Sequence, residues 1–146
     1  MTTSDSSSSE FSASTLRGPV PTAIIIGICL PFILSGVAKL SNPGAAAGEV
    51  AGLGLPMPVL FAWLTIVVQL GGSLAAVFTH GRIAALGALA LAGFTVVATL
   101  LAHAFWSAPE ADKMAQTNIF FEHASITFGL IFVAWCKWRA AGEMHG

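Results

Sequence analysis

Charge is what this chain has least of. Its 146 residues hold only six Lys and Arg and seven Asp and Glu, for a formal net charge of −1. So little charge excludes a basic nucleic-acid-binding surface. Two cysteines, Cys29 and Cys136, are too few for a disulfide framework, and both fall in apolar surroundings where buried, inert thiols are expected. There is no CxxC pair, no HExxH and no glycine-rich phosphate loop followed by Lys. Zinc-protease and nucleotide-binding chemistry therefore have no footing in the sequence.

What the chain has instead is hydrocarbon. It is 55% hydrophobic, with a mean hydropathy of +0.82. Four apolar stretches run over Val20–Leu40, Met57–Phe78, Ile83–Phe105 and Asn118–Trp138. Each matches the span of about 20 residues needed to cross a hydrocarbon core about 30 Å thick. The stretches are continuously apolar rather than alternating, which speaks against a β-barrel. The expected fold is all-α: an integral membrane four-helix bundle, antiparallel and up-down. The first stretch is too long for the apolar region of a signal peptide and is read as an uncleaved span.

Residues 1–19 are rich in Ser and Thr and are expected to form a disordered cytoplasmic tail. Residues 20–138 form the membrane domain, and 139–146 a second short cytoplasmic tail. Pro31 should kink the first span. Ser41-Asn42-Pro43-Gly44 breaks it, and Ala45–Leu53 suits a short helix lying on the membrane surface. Thr79-His80-Gly81-Arg82 is a tight turn, whereas Trp106–Thr117 reads as a longer loop. Arg17, Arg82, Lys137 and Arg139 fall on one side of the membrane, and Lys39 and Lys113 on the other. The positive-inside rule then places both termini in the cytoplasm, in the inner membrane of a prokaryote. Gly81, Ala85 and Gly93, Ala84, Ala88 and Ala92, and Gly71-Gly72-Ser73 are small residues suited to close helix contacts.

Each span also carries a polar stripe at helical spacing: Ser35 and Lys39; Thr65, Gln69 and Ser73; Thr95, Thr99 and His103; Asn118, Glu122 and Ser125, with His123 beside them. Ionisable groups at membrane depth are costly, so a site is their default reading. Lys39, His103, Glu122 and His123 should converge near the outer boundary, with Gln69 deeper. The plainer readings are that Lys39 snorkels to the interface, that His103 bonds a single carbonyl, that Glu122 only pairs with Lys39, and that Gln69 is interhelical glue. Metal or haem ligation by the histidines is chemically available but not demanded by their spacing.

Several short pieces carry a family resemblance when taken in order: Ser35-Gly36-Val37-Ala38-Lys39-Leu40, Gly54-Leu55-Pro56, Gln69-Leu70-Gly71-Gly72, Gly81-Arg82-Ile83-Ala84-Ala85-Leu86, Phe94 to His103, and Gly129-Leu130. The set resembles the DoxX family of small membrane proteins over about Leu30 to Ala134. Gln69 stands where members of that family commonly carry Glu. The resemblance implies a four-helix membrane bundle tied to respiratory or thiol redox chemistry. It implies either a redox-associated subunit, a small quinone- or lipid-binding protein with a polar pocket near the outer leaflet, or a non-catalytic anchor. A small transporter is a weaker alternative. The candidate cofactor is a quinone, held by Lys39, Gln69, His103, Glu122 and His123. His103 would donate to a quinone carbonyl, and Lys39 would hold an anionic group or pair with Glu122. The candidate partners are lipid, protein subunits of a membrane redox complex, and a second copy of the chain.

Overall fold

A computed structural model describes residues 18–143. The expectations for the Ser/Thr-rich residues 1–17 and for 144–146 lie outside the described residues. Among the described residues the elements are α1 (Pro19–Ser41), α2 (Pro43–Gly52), α3 (Pro58–Phe78), α4 (Gly81–Ala102), a single 3-10 turn (Phe105–Ser107) and α5 (Glu110–Glu143). There is no strand among them. Helices α1, α3, α4 and α5 are each long and apolar enough to cross a membrane.

The helix ends follow from local chemistry. Proline lies at the start of α1, α2 and α3, where its missing N–H would have lacked a helical acceptor anyway. Asn42 serves two helices at once. Its backbone N–H closes α1 onto the Ala38 carbonyl, and its side-chain oxygen accepts the Ala45 N–H at 3.1 Å to open α2. Between α2 and α3 the chain turns sharply, with Gly54 at φ +72° and Met57 at φ +53°. Met57 is the one non-glycine residue with positive φ among the described residues, and it is wedged between Pro56 and Pro58. That conformation costs a side-chain-bearing residue about 1 kcal/mol or more, and the packing of α2 on α3 holds it there. Thr79 ends α3 by donating its hydroxyl to the Ala75 carbonyl at 2.6 Å. Gly81, at φ +60°, then opens α4.

These tight connections force an up-down order. The end of α1, the start of α3, the end of α4 and the start of α5 share one end of the bundle. The core draws on all four long helices: Cys29 and Phe32 from α1, Ala76 from α3, Ala88 and Leu91 from α4, Leu130 and Ala134 from α5. Much of it is alanine and glycine, and the helices approach closely. A Cβ on Gly87 of α4 would lie 2.6 Å from the Ala75 Cβ and 2.8 Å from the Gly72 carbonyl oxygen of α3. A Cβ on Gly36 of α1 would lie 2.7 Å from Leu70. In lipid, burying apolar surface gives little drive, so this close backbone packing is what joins the helices. The outer faces are correspondingly apolar, with Leu34, Val67, Phe78, Ile83 and Phe128 exposed.

The fourth span differs from its expected bounds. Helix α5 has 34 residues, about 50 Å at about 1.5 Å per residue, and is longer than the hydrocarbon core is thick. It starts at Glu110 rather than Asn118, so the expected long loop contracts to residues 103–109. Glu110 and Asp112 look like loop residues by hydropathy. Acidic side chains in a first turn also favour the positive end of the helix dipole, and here that preference prevails.

Candidate functional site

Parts of the first three polar stripes, and His123 beside the fourth, meet in one place. A cavity of about 690 Å³ opens among α1, α2, α3, α4 and α5, walled mainly by apolar side chains such as Phe32, Leu64, Leu101 and Ile126. Lys39, Gln69, His103 and His123 all line it, together with Ser35 and Glu49. Pro31 lines it too. Lacking an N–H, it leaves the carbonyl one turn earlier in α1 without a helical donor.

At one edge Lys39, in the last turn of α1, reaches across to α2. Its Nζ lies 2.6 Å from Glu49 Oε2. The lysine side chain is mostly covered, whereas the glutamate is largely exposed. This pair neutralises the one cation on the cavity wall and fixes α2 beside it.

Deeper on the same wall, Gln69 projects from α3 and is buried. Its Nε2 donates to Ser35 Oγ of α1 at 3.2 Å. Its Oε1 is buried without a hydrogen-bond partner, alone in that respect among the described residues. Buried polar atoms are almost always paired, yet with Ser35 as its one side-chain partner this amide keeps one end unpaired whichever way it is turned.

The opposite wall carries the histidines. His103 caps the C-terminus of α4, and its Nδ1 lies 2.8 Å from Gln116 Oε1 of α5. His123 of α5 places its Nδ1 3.0 Å from Thr99 Oγ1 of α4. The two rings stand edge to face with centroids 5.1 Å apart. The stripe Thr95, Thr99 turns its hydroxyls back onto the helix: Thr99 donates to the Thr95 carbonyl at 2.6 Å, and Thr95 to that of Leu91 at 2.7 Å. No group of three or more His, Cys, Asp or Glu side chains suited to a metal is present among the described residues.

The family model described as DoxX matches residues 20–104, from the start of α1 to just past the end of α4. The chain belongs to the DoxX family. No curated protein and no solved structure gives a significant match. Three of the four long helices of this DoxX protein lie inside the matched region, with Lys39, Gln69 and His103. Helix α5, which supplies His123, lies beyond it. The match is therefore shorter than the resemblance read over Leu30 to Ala134.

Two expectations about this DoxX protein change. Lys39 pairs with Glu49 and not with Glu122. Glu122 is exposed and is absent from the cavity wall, as are the exposed Asn118 and Ser125 of its stripe. The reason is rotational. Neighbouring residues on a helix point about 100° apart, and the bond from His123 to Thr99 turns Glu122 away. Glu49, Gln116 and Thr99 are the site residues that sequence reasoning left without a role. The signal for Glu49 was present: an acidic residue ten positions after Lys39, across an Asn-Pro-Gly break.

Proposed function

We propose that this DoxX protein holds a small lipophilic molecule, a quinone or a lipid, in the cavity near the outer leaflet, and acts as a redox-associated membrane subunit. The observation that carries this reading is the make-up of the cavity. Its apolar walls suit a hydrocarbon tail, and its few polar groups suit a head group in defined orientation. Its volume falls within the range of small-molecule sites, about 300–1,000 Å³. The end of the bundle that holds Lys39 and His103 is opposite the end with Arg82 and Arg139, and the positive-inside rule makes that end the outer one.

The test is mass spectrometry and optical absorption of protein purified from its own membrane in mild detergent, compared with a Lys39→Ala/His103→Ala double variant. A lipophilic molecule in the wild type that is missing from the variant supports the reading. The same content in both, or none in either, overturns it.

A non-catalytic anchor is the second reading, and one observation favours it. The hydroxyls of Ser73, Thr95, Thr99 and Thr127 all donate to carbonyls four residues back in their own helices, so much of the polar stripe is spent internally. Under that reading the double variant is silent and a protein partner co-purifies with both forms.

A further inference from the structure

The end of the bundle opposite Lys39 and His103 carries a second arrangement of charge. Arg82, in the first turn of α4, places its guanidinium carbon 5.5 Å from the centre of the Trp138 ring of α5. Arg139 of α5 places its own 5.1 Å from the centre of the Trp135 ring. All four side chains are exposed, whereas Lys137 between them is buried. Neither arginine has an acidic partner among the described residues. The described carboxylate side chains, Glu49, Glu110, Asp112 and Glu122, all lie toward the other end.

The direction of Arg139 is informative. A long cationic side chain at the edge of a span ordinarily extends its charge outward to water. Arg139 does the reverse. Helix α5 leaves the bilayer through its C-terminal end, and Trp135 lies one turn back, so the guanidinium returns by about 5 Å toward the hydrocarbon. A tryptophan at a membrane boundary marks the level of the lipid head groups. Contact between a cation and an exposed ring is weak. It leaves the N–H donors of both guanidinium groups without an acceptor among the described residues, and their planar fork matches phosphate oxygens.

Behind these groups the surface is apolar. Phe128, Phe132, Trp135 and Arg139 follow at intervals of four, three and four, and so share one exposed face of α5. The Phe132 and Trp135 rings stand 6.0 Å apart. From Arg139 back to Phe128 is about 16 Å of helix, about half of a hydrocarbon core about 30 Å thick. That is the reach of an acyl chain in one leaflet.

We propose that Arg82 and Arg139, with Trp138 and Trp135, form a binding site for the head group of an anionic phospholipid, whose acyl chain lies along Phe132 and Phe128. The site does not depend on the cavity or on any ligand there. The positive-inside rule makes this the cytoplasmic leaflet, where basic side chains at the end of a span attract anionic lipid. Arginines from two helices favour a phosphodiester with no cation of its own. A zwitterionic lipid brings an ammonium group that both arginines repel. A phosphate shared by Arg82 and Arg139 also ties the start of α4 to α5.

The experiment is tryptophan quenching in vesicles by phospholipids with brominated acyl chains, using the full chain with Trp63→Phe and Trp106→Phe so that only Trp135 and Trp138 report. Brominated phosphatidylglycerol and brominated phosphatidylcholine are compared at equal fractions. Each arginine at an anionic surface corresponds to about fivefold, reduced by salt. The two together should therefore favour phosphatidylglycerol by about fivefold or more in relative binding constant. Arg82→Gln/Arg139→Gln should bring the two lipids to parity. Arg82→Lys/Arg139→Lys keeps the charges without the planar fork and should lose at least about half of the preference. Equal quenching of the parent protein by both lipids overturns the site, as does a preference that survives the glutamine variant. A preference undiminished by the lysine variant also overturns it, in favour of diffuse attraction between a basic end and an anionic surface.

Discussion

Lys39 Nζ lies 2.6 Å from Glu49 Oε2, tying the last turn of α1 to α2 at the edge of the cavity. Glu49 is largely exposed, so water screens the pair and its contribution to global stability is below about 1 kcal/mol. Its larger effect is local. Glu49→Gln should leave thermal unfolding nearly unchanged while hydrogen exchange speeds up over residues 43–52. Unchanged protection of α2 would show that Ala46 and Val50, packed on Ala62, hold it without the ion pair.

The α3–α4 crossing depends on Gly87. Its added Cβ would meet main-chain atoms of Gly72 and Ala76 that cannot rotate away. Gly87→Ala should destabilise by about 1–3 kcal/mol, the usual cost of overpacking, read as a lower unfolding temperature in detergent. Gly93→Ala on the same helix has nothing within 4 Å of the new methyl and should be tolerated. Equal effects of the two would refute this crossing.

Gln69 should matter more for binding than for stability. Its buried, unpartnered oxygen is a liability, and an apolar residue of similar size removes it at the loss of the single bond to Ser35, so the two effects offset to within about 1 kcal/mol. Gln69→Leu should therefore unfold close to the wild type when both are stripped of lipophile, while retaining less ligand. A large loss of stability would mean that the bond to Ser35 is chiefly structural.

Much of this architecture is legible from hydropathy alone, because lipid imposes length and apolarity on every span. The four long helices and the tight α3–α4 turn are therefore evident from the residues. So is the short helix after the Asn42-Pro43 break. The start of α5 is not, since Glu110, Asp112 and Lys113 suit a loop by hydropathy and a helix start by electrostatics. Within the site, periodicity shows which residues share a helix face. It does not show how each helix is rotated about its axis. That is why Lys39, Gln69, His103 and His123 can be named from spacing, while Glu122 is turned outward and Glu49 takes its expected place beside Lys39. The packing glycines show the same limit: Gly72 faces α4 and its neighbour Gly71 faces open space, a distinction no composition argument makes.

The rotation of α5 yields its own prediction. His123→Ala should lower ligand retention, since its ring lines the cavity, whereas Glu122→Ala on the exposed face should leave retention unchanged. Loss of ligand in the Glu122 variant, with His123→Ala silent, would require α5 to be turned by about one residue, roughly 100°.

The occupancy of the cavity is the most direct measurement. Gly93 lines it and a Cβ added there meets nothing within 4 Å, so Gly93→Phe should plug the space while leaving Lys39, Gln69, His103 and His123 in place. Protein purified from native membranes should carry close to one lipophilic molecule per chain by quantitative mass spectrometry, and the plugged variant should carry almost none. Equal retention by the two proteins would contradict a ligand-binding cavity.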